Sequence, residues 1–462
     1  MLRLHPACVY LALTFSGITT SANAQVDRYE LGLRLRAFEQ RLAATEDTAR
    51  RDAAFVALDR GVQAFFRLDP SAVAAALTDA EAALAATPAD DVQRALASLF
   101  VAPRARLLPV RSELAFDLRR SWSSETELPG DLVLALAVDD APFVRSEVDA
   151  VPGRGSLPLG DLAEGDHELR SRLCAGERVV WERRCGISVV AHRDERLAAL
   201  QVAAGTAGDD LDGLTLVSTV RLLTAMTRPR GEETVLPGAR LLAEAEQLAK
   251  AIADGAPFHG PAHPGQHWLR VPTGRGACAV RLLVPPATEA PKPLVLALHG
   301  AGGSENLFFD SYGAGEAVRR CEKRGLYLCA PRQGFGVPDL PALVDALATR
   351  YPIDRSRVLL IGHSMGAAMA IANAGRAPAR FAAVAALGGG GEPGDGDVSR
   401  LPFFVAAGSR DFLRASAEGL RDRLRAVGAP VTWRTYAGVE HWAIVQLALP
   451  GVFAWWDELD RR

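Results

Sequence analysis

Lysine is nearly absent from this 462-residue sequence. Only Lys250, Lys292 and Lys323 occur, so arginine supplies almost all of the 52 basic residues. Together with the abundant alanine, this reads as a composition bias of the genome and not as a functional signal. Excess charge of either sign is missing too. The formal net charge is −3, which argues against a general nucleic-acid binder, normally a basic protein. After residue 24 no run reaches about 18 uninterrupted apolar residues, so no membrane span is expected in the mature chain. No propeller repeat is visible. No two cysteines stand two to four residues apart with a partner pair, so the zinc pattern is lacking. What is present, 49% hydrophobic and 23% charged residues, is the balance of a folded protein and excludes a disordered or fibrous chain. At ~100–200 residues per domain, the length suits two or three domains.

Residues 1–24, MLRLHPACVYLALTFSGITTSANA, start with a basic Arg3 and carry an apolar stretch from Ala7 to Ile18 that is too short to cross a bilayer. Ala22 and Ala24 supply the small residues of a cleavage site. A signal peptide cut after Ala24 is expected, with a secreted or periplasmic product. Export permits disulfides. Cys174 and Cys185 flank a predicted hairpin, and Cys321 and Cys329 bracket a helix-to-strand turn. Either pair is open to bridging, which leaves Cys278 free, and the spacing does not fix the connectivity.

The mature chain changes period several times. Residues 25–105 have helical spacing, with Ser71 and Asp90 as expected N-caps after Pro70 and Pro88, and read as a small packing module without a polar cluster. Residues 106–191 contain short alternating runs such as ELAFDLR and DLVLALAV between glycine-rich turns, the pattern of a small immunoglobulin-like β-sandwich. Residues 192–256 return to helix and are expected to pack on the N-terminal helices. Residues 257–267, with His259, His263 and His267, read as a solvated linker. The alternative is a metal site, but Pro261, Pro264 and Gly265 forbid the regular helix that would align the three imidazoles. From 268 to 462 apolar strands such as LVLALHG and RVLLIGHS alternate with helical stretches. That pattern predicts an α/β domain with a doubly wound, mostly parallel sheet.

Three loops of this last region carry chemistry. Gly362-His363-Ser364-Met365-Gly366 follows a strand and precedes a helix, the context in which G-x-S-x-G lifts a serine hydroxyl above a sheet. The same turn brings the Met365 amide towards the reacting carbonyl. His299-Gly300-Ala301-Gly302-Gly303 follows LVLAL and is placed to stabilise an oxyanion through the amide of Ala301, with Gly302 as the substitute. A phosphate loop is excluded because no Gly-Lys-Ser/Thr follows. A serine hydroxyl needs a base within reach, and after Ser364 the only histidine is His441. Asp411, at a strand end, is the expected acid. Its rivals are Asp395, Asp397 and Glu440. Candidates for lining a substrate pocket are His299, Gly302, Asn306, Phe308 and Trp442, beside Phe309 and Tyr312. For Phe308 and Phe309 a core role is the equal alternative, and His299 suits a structural role.

The segments LALHGAGGSENLFFD, YPIDRSRVLLIGHSMGA, AAGSRDF and GVEHW resemble the α/β-hydrolase superfamily, most of all its secreted polyhydroxybutyrate depolymerase and feruloyl esterase-like serine hydrolases. The resemblance covers about 268–462. It implies a serine esterase with Ser364, His441 and Asp411 as triad, no metal or organic cofactor, and a small-molecule or polymeric ester as substrate. Two other functions stay open. One is a serine peptidase of the prolyl-oligopeptidase type. The other is a protein whose N-terminal modules bind a glycan or a partner.

Overall fold

The computed structural model describes residues 26–461 apart from 87–88, 147–152, 230, 275, 287–289, 335 and 337, so the expected signal peptide lies outside the described residues. Four helices come first: α1 (Arg28–Ala44), α2 (Thr48–Phe66), α3 (Pro70–Ala83) and α4 (Asp91–Ala97). Each starts on an aspartate whose carboxylate takes the amide three residues on: Asp27, Asp47, Asp69 and Asp90. The cap of α3 is therefore Asp69 and not Ser71. Pro70 sits in the first turn, where its missing N–H costs nothing.

Eight strands follow: β1 (Leu99–Pro103), β2 (Leu107–Pro109), β3 (Glu113–Arg120), β4 (Leu132–Val138), β5 (Val144–Ser146), β6 (Gly153–Pro158), β7 (Gly165–Ala175) and β8 (Arg178–Val190). They form two sheets, ordered β1-β3-β6 and β2-β8-β7-β4-β5. Leu114, Phe116, Leu134, Leu136, Leu169 and Ile187 from both sheets share one core, which makes a sandwich. Its first strand begins at Leu99, inside the stretch expected to be helical. Helices α5 (Arg193–Gly205), α6 (Leu211–Met226) and α7 (Gly238–Ala253) come next. They pack on Leu107 and Val190 of the sandwich and on Trp268, instead of on the N-terminal helices.

The remaining chain builds one eight-stranded sheet from β9 (Gly265–Thr273), β10 (Gly276–Val284), β11 (Lys292–Leu298), β12 (Tyr327–Pro331), β13 (Ile353–His363), β14 (Ala383–Leu387), β15 (Phe403–Gly408) and β16 (Val431–Tyr436). The order is β16-β15-β14-β13-β11-β12-β10-β9, parallel from β12 to β16 and antiparallel at β9 and β10. Helices α8 (Leu307–Asp310), α9 (Glu316–Arg324), α10 (Leu340–Ala348), α11 (Met365–Arg376), α12 (Arg414–Ala426) and α13 (Ala443–Asp460) intervene. One face of the sheet is covered by α10, α11 and α12. The other is covered by α9 and α13, and its core continues without a break into Phe38, Leu42, Phe55, Leu58 and Leu77 of α1–α3. The N-terminal helices are thus no module apart, because their apolar faces are completed by the large sheet domain. A buried Arg34 fixes them from the other side. It pairs with Glu30 at 2.7 Å and donates to Thr78 Oγ1, the Ala97 carbonyl and Ser121 Oγ.

Two further expectations are corrected. All five described cysteines are free thiols. In the β7–β8 hairpin Cys174 faces Val179 while Cys185 faces Leu169, so the register holds the two sulfurs apart. Cys321 and Cys329 lie in cores on opposite faces of the sheet. The segment expected to be a solvated linker is short and partly buried. β9 already starts at Gly265, and Asp212 of α6 takes the His259 ring at 2.6 Å and the amides of Phe258 and His259. Among the described residues no group of three or more side chains is arranged to hold a metal ion, and no helix is long and apolar enough to cross a membrane.

Helix α1 meets the loop before α7 so closely that a Cβ on Gly32 would stand 2.0 Å from the Glu233 carbonyl oxygen. Gly32→Ala is expected to destabilise the fold by ~1–3 kcal/mol through overpacking. A urea denaturation midpoint equal to that of the parent would show that this contact is loose.

Candidate active site

Ser364 stands between β13 and α11 with φ 55° and ψ −117°. For a residue with a side chain, such a backbone costs of order 1–3 kcal/mol and persists only where its surroundings enforce it. Here they do. A Cβ on Gly362 would lie 2.3 Å from the Gly366 carbonyl oxygen, and one on Gly366 would lie 2.2 Å from that of Leu298. The Ser364 amide donates to the Leu387 carbonyl at 3.0 Å. Only with both glycines can the first turn of α11 press onto the end of β11 and turn the hydroxyl outwards.

The structure brings Ser364, His441 and Asp411 together. The Ser364 hydroxyl donates to His441 Nε2 at 2.9 Å, and His441 Nδ1–H donates to Asp411 Oδ1 at 2.9 Å. All three are buried. Burial alone would raise the Asp411 carboxyl. The His441 hydrogen bond, the charge of that ring and the Leu413 amide outweigh it and hold the group below the usual carboxylate range. Of the rival acids, Glu440 turns away and caps α13, taking the amides of Trp442 and Ala443. Asp397 takes the Ser399 amide in its own loop, and no contact ties Asp395 to the imidazole.

The loop after β11 lies against the serine, since a Cβ on Gly300 would be 3.3 Å from Ser364 Cβ. No backbone acceptor among the described residues takes the amide of Ala301 or of Met365, so both are free to donate to a ligand. His363, the unassigned residue of the elbow, braces this arrangement. The Gly300 amide donates to the Tyr312 hydroxyl, that hydroxyl donates to His363 Nδ1 at 2.8 Å, and His363 Nε2–H donates to the His441 carbonyl at 2.9 Å. Burial, followed by the neighbouring His441, lowers the His363 pKa to about 3, so the ring stays neutral and keeps the tautomer this relay needs.

The expected pocket residues divide. His299 is buried with both ring nitrogens engaged, Nδ1 with the Gly300 carbonyl and Nε2 with the Gln333 amide. Asn306 is buried in a polar network with Trp268, Arg281 and Ser304. Phe308 is a core residue packed on Tyr312. All three are buried. Gly302 is exposed at φ 73°, and Trp442 is partly buried beneath α2.

Sequence reasoning missed what the N-terminal helices bring to the site. The Arg28 guanidinium donates to the Gly302 carbonyl at 3.1 Å and pairs with Glu233, which in turn binds Ser304. Glu39 of α1 enters a turn where Tyr312, Gly313 and Ala314 all have positive φ, and accepts the amides of Tyr312 at 2.8 Å and Ala314 at 3.0 Å. The tip of α2 carries Phe65 and Phe66, and Phe412 adjoins His441. The only trace in the sequence was the pair Phe65-Phe66 in the segment of helical spacing.

The dienelactone hydrolase family matches residues 313–445. Among solved structures the chain is similar to an S-formylglutathione hydrolase from Staphylococcus aureus, at 17% identity and TM-score 0.37 over 43% of this chain and 98% of that one. It is also similar to a ferulic acid esterase, at 17% identity and TM-score 0.36 over 43% and 99%. A third likeness is to a dienelactone hydrolase, described as putative, from Klebsiella pneumoniae, at 20% identity and TM-score 0.34 over 42% and 97%. No curated protein matches the chain. The sheet order and the family match make the C-terminal domain an α/β-hydrolase. By class the protein is a carboxylic ester hydrolase.

Burial raises the Glu39 pKa from 4.5 to about 7, against the pull of the Ala314 and Tyr312 amides. The folded state then holds a proton that the unfolded chain releases at lower pH, so this group's contribution to stability is full below about 4.5 and is lost as pH rises to about 7. Glu39→Gln, which mimics the protonated acid, is expected to shrink the loss of stability between pH 5 and pH 8. Urea unfolding at both values measures it, and an unchanged difference would refute the assignment.

Proposed function

We propose that this is an exported serine hydrolase that cleaves carboxylic esters through an acyl-enzyme. The observation that carries the reading is the unbroken line from Ser364 Oγ through His441 to Asp411, with both hydrogen bonds at 2.9 Å. His441 Nε2 removes the Ser364 proton as the hydroxyl oxygen attacks the ester carbonyl. Asp411, kept ionised, holds the imidazole by Nδ1–H and stabilises the imidazolium. The amides of Ala301 and Met365 receive the oxyanion, each donor of this kind being worth ~10²–10³ in rate. The C–O bond to the alcohol then breaks, and the leaving oxygen takes the proton from His441. Water, deprotonated by the same nitrogen, attacks the acyl-serine and releases the acid. Every charge in the cycle is met by a group of the chain itself.

Residues 268–462 are the catalytic part in this reading, and the near-neutral chain suits an uncharged substrate, small or polymeric. Feruloyl esters belong in the first panel because one similar structure is a ferulic acid esterase. Export rests on the sequence of residues 1–24. A role for the sandwich in holding a glycan or a partner is an extension of the same reading.

Fluorophosphonate should label the parent at Ser364 and leave Ser364→Ala unlabelled, with kcat on a p-nitrophenyl ester reduced ~10⁴–10⁶-fold and the fold intact by circular dichroism. Asp411→Asn should cost ~10⁴-fold by freeing the imidazole to take the wrong tautomer. Label at another residue, or full activity in the purified Ser364→Ala variant, would sink the proposal. Hydrolysis of aminoacyl-nitroanilides in preference to esters would turn it into a peptidase.

A further inference from the structure

Two exposed phenylalanine rings stand beside His441, and one of them comes from outside the hydrolase domain. Phe412, in the loop after β15, has its ring centroid 4.5 Å from that of the imidazole. Phe66, the last residue of α2, meets Phe412 edge to face at 5.3 Å. Phe65 continues the row, 5.4 Å from Phe66 and 5.9 Å from Trp442. Its ring also reaches the oxyanion loop, where a Cβ on Gly302 would be 2.5 Å from Phe65 Cζ. Phe412 is 53% exposed and Phe66 37%. Core packing therefore does not account for them, and an exposed apolar cluster next to a buried polar site is normally a contact surface. The row is rigidly mounted. Leu58 and Val62 of α2 are buried, and Gly61 lets the helix approach the Trp442 ring, to which a Cβ there would stand at 3.3 Å.

The chemistry of the cycle fixes which part of the substrate meets these rings. At the tetrahedral carbon the oxyanion turns towards the free amides, and the leaving oxygen must lie over His441 Nε2 to receive its proton. Whatever is attached to that oxygen runs out past the imidazole, where Phe412 and Phe66 stand. We propose that Phe66 and Phe412 form the wall for the alcohol portion of the ester, selecting alcohols that end in a planar apolar ring. This rests on the serine-hydrolase reading above. It gives the N-terminal helices a place in substrate selection, since Phe66, one of the two rings, comes from α2.

The test compares benzyl and ethyl esters of one acid, whose alcohols differ little as leaving groups. The parent should prefer the benzyl ester in kcat/KM. In Phe66→Ala and in Phe412→Ala the benzyl-to-ethyl ratio should fall about tenfold, the scale on which an apolar contact discriminates substrates, while Phe66→Tyr should keep it. Both alanine variants remove exposed rings, and thermal unfolding checks that they fold. Fluorophosphonate labelling of the same samples separates the two readings. Labelled variants with the parental ratio, or a parent without benzyl preference, overturn the aromatic wall alone. An unlabelled parent overturns the hydrolase reading and the wall with it.

Discussion

The contact between the first turn of α11 and the end of β11 is the constraint on which the site depends. Gly366 lies so close to the Leu298 carbonyl, and Gly362 to that of Gly366, that neither position has room for a Cβ. This forces the strained backbone of Ser364, and from it the rest follows. The serine leaves the sheet at the point where the loop from β11 passes, with Gly300 packed against its Cβ. The strain is held by packing on both faces of the sheet, far more apolar contact than the few kcal/mol it costs.

A second layer keeps the base in place. Asp411 orients His441 from one side, and His363 holds the backbone of His441 from the other through a relay that reaches Gly300 by way of Tyr312. One phenol thus ties the elbow to the oxyanion loop. The turn that carries that phenol is itself pinned by Glu39 of α1. Precision at the serine is in this way inherited from a helix more than 250 residues earlier in the chain.

The α/β domain was legible from its alternating apolar runs, and Ser364, His441 and Asp411 from local signals: an elbow between a strand and a helix, a last histidine, a strand-end carboxylate. Such features follow from spacing along the chain. Asn306 and Phe308 stayed open between pocket and core because burial cannot be read from residue type. A polar side chain and an aromatic one after an oxyanion loop serve equally well as a pocket or, as here, as a buried network and a core. The cysteine pairs misled for the same reason. Cys174 and Cys185 are neighbours in sequence but six residues out of register, and Cys321 and Cys329 are separated by the sheet. Phe66, Glu39 and Arg28 were invisible because their meaning lies in a contact with residues about 270 or more positions away.

The Gln446 side chain donates to the Glu39 carbonyl across a separation of 407 residues. The apolar faces of α1–α3 thus share their core with residues of the sheet, of α8 and α9 and of α13, far along the chain. Such distant pairing slows folding and prolongs the life of sticky intermediates. Helices α1–α3 and α13 thus share one core, although the sandwich and the whole large sheet lie between them in sequence.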